Sequence, residues 1–493
     1  MQEYSPKRRT ALVLSGTGTS GAYHAGVLKA LDESGVKIDL VVGSGVGAIA
    51  AAFGAAAGGP KLYGHGGFWD GAGRRHFHRL RPALVFGASL LGASFTVFLL
   101  PLCLALLAGV LFPIVLIVDR LAPGWPARML APLWVGTEAL SGPYLGALAL
   151  PVFALAAVGL IGLVAAYLRD RRRFLERFEA FSDVAPGEAR LRRALWEIAR
   201  GPAITKAAPS EGELGKRLVT LLSENLGQPG FRELIVRTAD LETGRVLPFV
   251  FLGDERRAAF AAARSPSGRW RVEGLPGAVD LRAPGYAELL FDAVVTGLLA
   301  VVGAPLRRVV FPKGGLHAGE VHRLTDATLV SGAGITEALA AGAEQVIVAS
   351  AVPAEPTVPP RRRGPAARLD AVLGTLERGA VDRDLLGAER INRMVETLGH
   401  RTDEGGRAWQ DPATGRVYRA FTLYVVRPER RPLGPLELDG ARDPATEVLA
   451  TPADLLEQGY RDAFRMFVEP VVGASPAPRR NLTEEQENQP VEI

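Results

Sequence analysis

The sequence predicts an α/β protein with a mostly parallel sheet flanked by helices and an inserted two-helix transmembrane hairpin. Two observations lead to this fold class. Two units of strand, glycine-rich turn and helix follow each other within residues 11–59, a spacing typical of parallel strands with crossover helices. Two long segments without a formal charge, 82–118 and 139–168, then separate these units from further strand and helix patterns.

The composition limits the class of protein. The chain has 493 residues, of which 48% are hydrophobic and 22% charged, so we expect a folded chain with a buried core. Its net charge of +5 comes without a zinc-finger or RNA-binding signature, and we expect no nucleic-acid partner. The single cysteine, Cys103, excludes an internal disulfide and a cysteine-cluster metal site. We expect neither a metal nor a cofactor.

The first unit consists of an apolar strand at 11–14, the turn SGTGTSG at 15–21 and an amphipathic helix that ends at Gly35. The glycines of this turn also fit a dinucleotide-binding loop, G-x-G-x-x-G. The acidic residue that would contact a ribose, Asp39, however opens the next strand instead of closing it, which disfavours a nucleotide site. A tight turn that needs glycines for its backbone alone is the preferred interpretation.

The second unit consists of a strand at 39–42, the turn GSGVG at 43–47 and a helix of small residues that ends at Gly59. We call this junction of strand and helix the elbow.

The two turns together resemble the patatin-like phospholipase family. The sequences at 231–251 and 324–350 are similar to that family's middle strand pair and aspartate segment, so the resemblance covers about 1–60 and 230–352. In this family the first loop supplies an oxyanion hole, the elbow presents a nucleophilic serine, and a later D-G or D-A motif supplies an aspartate. The resemblance implies a lipid acyl hydrolase whose partner is membrane lipid.

The resemblance assigns a role to each matching residue. It gives Gly16, Thr17 and Gly18 as the oxyanion loop, Gly43 and Gly47 as elbow glycines, Gly45 as the nucleophile position, and Asp326, followed by Ala327, as the aspartate. Gly45 carries no hydroxyl group, so the nucleophile is absent. The basic residue that the family has in the first loop falls at Ser20. We predict a degenerate member of the family that binds lipid or acyl chains.

Two further side chains near these turns are candidates for a role in the site. Ser44 is the nearest hydroxyl to the elbow, but the alternation of side chains along a strand should direct it away from Asp326. An active hydrolase with a Ser44–Asp326 dyad is therefore an alternative, as is a membrane scaffold or regulatory protein. His24, on the first helix, is expected at the helix surface.

The uncharged segments 82–118 and 139–168 are each long enough to cross a bilayer of about 30 Å. Four arginines precede the first segment within 74–81 and five follow the second within 169–177, whereas the connector 119–138 holds two. The positive-inside rule then predicts an integral membrane protein whose patatin-like domain lies on the cytoplasmic side.

These patterns divide the chain into six segments. They are an N-terminal patatin-like segment (1–81), the hairpin (82–168), a basic helical return segment (169–230), a C-terminal patatin-like segment (231–352), an extension (353–473) and a disordered tail (474–493).

Overall fold

The protein was analysed as a computed structural model. It describes residues 4–80, 182–201, 207–261, 278–299, 304–314, 317–328, 330–354, 365–401, 407–412, 417–443 and 446–469, with a few isolated positions between 81 and 181. The chain divides into two compact units, one of 1–78 and 184–493 and the other of 79–183. Elements are numbered along the described residues.

The elements that precede residue 230 are mostly helical. They are β1 (Thr10–Gly16), α1 (Ser20–Glu33), β2 (Leu40–Gly45), α2 (Val46–Ala55), α3 (Gly59–Tyr63), α4 (Arg74–Phe77), β3 (Arg79–Leu80), β4 (Ser182–Asp183), α5 (Ala185–Ala199) and α6 (Glu211–Asn225). In the second unit, β3 pairs antiparallel with β4.

The next group of elements contains the strands that complete the sheet around the elbow. They are β5 (Glu233–Asp240), β6 (Arg245–Phe251), α7 (Asp254–Ala261), β7 (Val279–Asp280), α8 (Leu290–Val295) between the 3₁₀ turns Ala287–Leu289 and Thr296–Leu298, β8 (Arg307–Val310), β9 (Val321–Asp326), α9 (Ile335–Ala340) and β10 (Gln345–Ala349).

The C-terminal elements begin with the longest described helix. They are α10 (Pro365–Leu398), β11 (His400–Arg401), β12 (Arg407–Gln410), β13 (Val417–Arg419), β14 (Thr422–Val426), β15 (Ala441–Arg442), β16 (Leu449–Ala450) and α11 (Pro452–Phe467).

Nine strands form the main sheet, in the order β14-β10-β1-β2-β5-β6-β7, with β9 paired to β5 and β8 paired to β9. The strands from β14 to β5 are parallel, whereas β6 and β9 run antiparallel to β5. Successive side chains of β1 enter two apolar cores on opposite faces, Leu12 in one and Val13 in the other. Strands that are buried on both faces read as continuous apolar runs, which is why β1 and β2 could be predicted. The mixed α/β class with a mostly parallel sheet is confirmed.

The C-terminal region of the chain belongs to the same compact unit as the sheet. Strand β14 extends the sheet beside β10, and α11 packs against α1. Tyr23 of α1 donates a hydrogen bond to Asp462 of α11, with 2.9 Å between the oxygens. The extension predicted at 353–473 therefore contributes a strand and a covering helix to the fold.

The inserted transmembrane hairpin and the integral-membrane location need correction. Among the residues that the structure describes, no helix is both long enough and apolar enough to cross a membrane. The longest of them, α10, carries charged residues along its whole length, and α11 has 16 residues, short of the roughly 20 apolar residues that a bilayer requires. Apart from isolated positions, the segments 82–118 and 139–168 themselves lie outside the described residues.

Candidate active site

The elbow lies at the junction of β2 and α2. Gly45 ends the strand with φ +58° and ψ −135°, and the helix begins at the next residue, Val46. An L-amino acid adopts this backbone conformation only with strain, whereas glycine adopts it freely. The strand, turn and helix predicted around Gly45 thus form a sharp elbow of the kind that exposes a nucleophile in hydrolases.

Asp326, at the end of β9, lies directly beside the elbow. A β-carbon built on Gly45 would be 2.6 Å from Asp326 Oδ1, 2.3 Å from Thr328 Oγ1 and 2.4 Å from the carbonyl oxygen of Gly16. Side-chain carbons in real structures do not approach other atoms so closely. The structure therefore brings together the two residues that the resemblance assigned to nucleophile and base, but it leaves no space for a serine side chain.

Asp326 is almost completely buried. Burial raises the pKa of its carboxyl group to about 7, with the carboxylate of Glu377 as a lesser cause in the same direction, against the opposing effect of the hydrogen bonds from Thr328. The backbone N–H of Thr328 donates to Asp326 Oδ1 over 2.7 Å. A carboxyl group with this pKa is suited to act as a base near neutral pH, but Gly45 offers it no proton to remove.

The loop that the resemblance assigns as the oxyanion loop contacts an acidic side chain of the protein itself, Glu377. The N–H of Thr17 donates to Glu377 Oε1 over 3.3 Å, and the hydroxyl of Ser20 donates to the same oxygen over 3.0 Å. A β-carbon on Gly16 would lie 2.7 Å from this oxygen. The carboxylate of Glu377, which comes from α10, thus occupies the place in the loop where a bound oxyanion would accept hydrogen bonds.

Arg431 completes this arrangement. Its guanidinium donates to Glu377 Oε2 over 2.9 Å and to Ser20 Oγ over 2.9 Å. Glu377 is fully buried, and 10% of the Arg431 side chain is exposed. The family has a basic residue at the position of Ser20. In this protein a basic side chain from a distant region, Arg431, donates to the Ser20 hydroxyl.

Neither Glu377 nor Arg431 was predicted from the sequence. They lie 54 residues apart, and each is more than 350 residues from the loop that they contact. Glu377 sits in a helix with many paired charges, a pattern that favours an exposed position. No spacing within the sequence could have connected them.

The extension (353–473) also contacts the loop through a backbone group, that of Pro435. The N–H of Thr19 donates to the carbonyl oxygen of Pro435 over 3.0 Å. Gly18 has φ +53°, and a β-carbon there would be 1.8 Å from the same oxygen. This close approach of two backbones explains the glycine.

Ser44 makes its contacts elsewhere. Its hydroxyl accepts a hydrogen bond from Arg237 over 2.7 Å and donates to the carbonyl oxygen of Ala333 over 3.4 Å. The same Arg237 donates to Glu337 over 2.8 Å, so Ser44 belongs to a buried ion-pair network. Among the described residues, its hydroxyl makes no hydrogen bond to Asp326.

His24 is fully buried, so the prediction of a helix-surface position is wrong. The reason is that α1 is covered on one side by the sheet and on the other by α11. Within the described residues of the chain, neither ring nitrogen makes a hydrogen bond of normal geometry, although the backbones of Ser15 and Ala349 lie near the ring. Burial lowers the pKa of His24 to about 3, and the ring is therefore neutral at physiological pH.

Comparison with protein families gives a match over part of the chain. Residues 12–90 match the family of patatin-like phospholipases, and this range contains most of β1 and the loop, helix, strand and elbow that follow it. The resemblance to that family is thereby confirmed for this region of the chain. No curated protein matches the sequence significantly.

Proposed function

We propose, from the match of residues 12–90 to the patatin-like phospholipase family, that this protein is a degenerate lipid acyl hydrolase that binds lipid or acyl chains without cleaving them. The observation that carries the proposal is the contact between Gly45 and Asp326. The elbow and the aspartate are both present, yet the nucleophile is absent and its space is filled. Enzymes of the serine-hydrolase type lose nearly all of their rate enhancement when the nucleophile is removed.

The position of Glu377 supports the same proposal. An oxyanion hole accelerates acyl transfer by stabilising negative charge that develops on the substrate oxygen. Here the carboxylate of Glu377, which is paired with Arg431, already accepts the N–H of Thr17. A second anion at this loop would meet electrostatic repulsion, so the loop is unsuited to a tetrahedral intermediate. The lipid nature of the ligand is inferred from the family match alone.

The alternative with Ser44 as nucleophile would require a rearrangement. Ser44 would have to exchange its hydrogen bond with Arg237 for one with Asp326, which would remove one acceptor of the buried guanidinium, while Glu337, Gly332 and Ser331 remain its acceptors. A buried N–H without an acceptor is costly. A role as a scaffold or regulatory protein is the third candidate, and lipid binding distinguishes it from the first.

The test compares hydrolysis with binding in the full-length protein. Turnover is measured with p-nitrophenyl esters and with phosphatidylcholine in mixed micelles, and serine reactivity with a fluorophosphonate label. Binding is measured with a fluorescent fatty-acid analogue. We expect saturable binding without turnover or labelling, in the parent protein and in Ser44→Ala alike.

Two results would contradict the proposal in different ways. Turnover and labelling that are abolished by Ser44→Ala would identify an active hydrolase. Absence of both turnover and saturable binding would remove the lipid ligand and favour the scaffold.

A further inference from the structure

A cluster of two histidines and one glutamate lies at the β8–β9 hairpin, outside the elbow. Glu320 Oε2 is 3.1 Å from His317 Nδ1 and 3.0 Å from His322 Nε2. One potential ligand atom from each of the three side chains lies within 4.8 Å of the other two. The three residues form the pattern H-x-x-E-x-H, which has no role in the site at the elbow.

A fourth residue fixes the orientation of His322. Its Nδ1 lies 2.9 Å from Oδ2 of Asp240, whose side chain is 3% exposed. Asp240 is itself held by the hydroxyl of Thr243 and the N–H of Glu242, at 2.8 and 3.0 Å. With the proton held on Nδ1 by this buried carboxylate, Nε2 presents its lone pair to an ion placed between it and Glu320.

This arrangement has the features of a transition-metal site. Histidines that bind metals almost always donate their other ring N–H to a carboxylate, carbonyl or water, as His322 does to Asp240. Two imidazole nitrogens and one carboxylate oxygen form a common ligand set for catalytic zinc. In a tetrahedral zinc site, ligand atoms are about 3.3 Å apart, given metal–ligand distances of about 2.0–2.1 Å. The two distances to Glu320 are close to that value.

The charges and the exposure of the cluster also suit the binding of a divalent cation. The carboxylates of Glu320 and Asp240 together balance the charge of a divalent ion. Glu320 is 58% exposed and His322 10%, so an ion can enter from solvent and bind to a partly buried ring. Three protein ligands leave a coordination position for water or for a further ligand.

We propose that His317, Glu320 and His322 bind a divalent transition-metal ion, zinc in the first place, and that Asp240 is a positioning residue for His322. The ion joins the loop that holds His317 and Glu320 to His322 of β9, and His322 in turn contacts Asp240 at the end of β5. It therefore stabilises the strand that ends at Asp326. This inference is independent of the proposed lipid function.

The experiment is a calorimetric titration of chelator-treated, tag-free, full-length protein with ZnCl₂. We expect one Zn²⁺ per chain, a rise in Tm with zinc, and visible d–d absorption when Co²⁺ replaces it. The double variant His317→Ala/His322→Ala should lose all three signals. Asp240→Asn should weaken zinc binding by about 10–100-fold, as expected for a residue that orients a ligand.

The matched control is His65→Ala. His65 is fully exposed and pairs with Asp70. The two residues form a histidine–carboxylate pair elsewhere on the surface, so the loss of His65 should leave zinc binding unchanged.

Circular dichroism of each variant separates loss of binding from loss of folding. Zinc binding of the parent protein no tighter than that of the folded double variant would overturn the proposal. In that case the cluster is a network of hydrogen bonds with a protonated His322. Should the double variant unfold, Glu320→Gln replaces it, and its zinc affinity is compared with that of the parent protein in the same way.

Discussion

Gly45 and Asp326 are in such close contact that a β-carbon on Gly45 would lie 2.6 Å from Asp326 Oδ1. In a working hydrolase of this type, these two positions hold a nucleophile and its base with a substrate above them. Here the aspartate, together with Thr328, occupies the space of the missing side chain. The absence of a side chain at Gly45 and the filling of its space by Asp326 and Thr328 therefore occur together.

This contact predicts that Gly45→Ser alone does not restore hydrolysis. The added β-carbon would meet the carbonyl oxygen of Gly16 and would also require a positive φ from serine, so we expect a loss of about 1–3 kcal/mol in unfolding free energy. Urea unfolding and fluorophosphonate labelling measure the two effects. Gly45→Ala is the matched control and should lose equally, because the β-carbon and not the hydroxyl causes the strain. A Gly45→Ser protein that unfolds like the parent and takes the label would disprove the closed site.

The ion pair between Glu377 and Arg431 predicts a large, non-additive effect on stability. Removing one partner of a buried pair leaves the other charge uncompensated, which costs about 3–5 kcal/mol. Glu377→Ala and Arg431→Ala should each approach this loss, whereas the double variant should lose clearly less than their sum. Urea unfolding of the four proteins gives the coupling free energy.

The control for this cycle is the exposed pair Glu457 and Arg461 on α11. Such surface pairs contribute about 0.3–0.5 kcal/mol, so its cycle should show almost no coupling. Strict additivity for Glu377 and Arg431 as well would mean that the carboxylate is not held by the guanidinium.

The elements of the fold that could be predicted from the sequence are those with local signals. The strand at 11–14 and the elbow glycines are visible because a strand buried on both faces is uniformly apolar and a sharp turn needs glycine. The pattern of residues 286–302 predicts a helix, and its described part, 286–299, contains α8 with a 3₁₀ turn at each end. The pattern of residues 419–426 predicts one strand, whereas β13 ends at Arg419 and β14 begins at Thr422.

The features of the site that could not be predicted depend on packing between distant segments. Periodicity identifies α10 as a helix, but it does not tell which residue of that helix will be covered by the segment around Arg431. For the same reason His24 was expected at the surface, since nothing in the sequence of α1 indicates that both of its sides will be covered. A single sequence carries no direct signal for such contacts.

The raised pKa of Asp326 predicts a loss of stability as the pH increases. Its carboxyl group titrates at about 7 in the folded protein and near 3.8 when unfolded, so the folded state binds the proton more tightly. The contribution of the protonated carboxyl group to stability is complete below about pH 4 and is lost as the pH rises through 7, with a total of up to about 4 kcal/mol.

Asp326→Asn keeps an acceptor for the N–H of Thr328 but does not ionise. Thermal unfolding at pH 5 and pH 8 should show that the variant gains stability over the parent mainly at pH 8. An equal difference at both values would contradict the assignment.

His24 predicts the opposite dependence on pH. Its pKa is about 3 in the folded protein and 6.5 in the unfolded chain, so the unfolded state takes up the proton first as the pH falls. The stability that the neutral ring provides is complete above about pH 6.5, and about 2 kcal/mol of it is lost by pH 5. His24→Leu removes both the titration and two buried nitrogens that have no hydrogen-bond partner among the described residues. We therefore expect the variant to be at least as stable as the parent at pH 7 and clearly more stable at pH 5, as measured by urea unfolding.

His65→Leu, which changes an exposed histidine, should give no such gain in stability at pH 5. If His24→Leu is destabilised by the same amount at both pH values, the ring is held by packing or by a ligand and not merely tolerated as a neutral group.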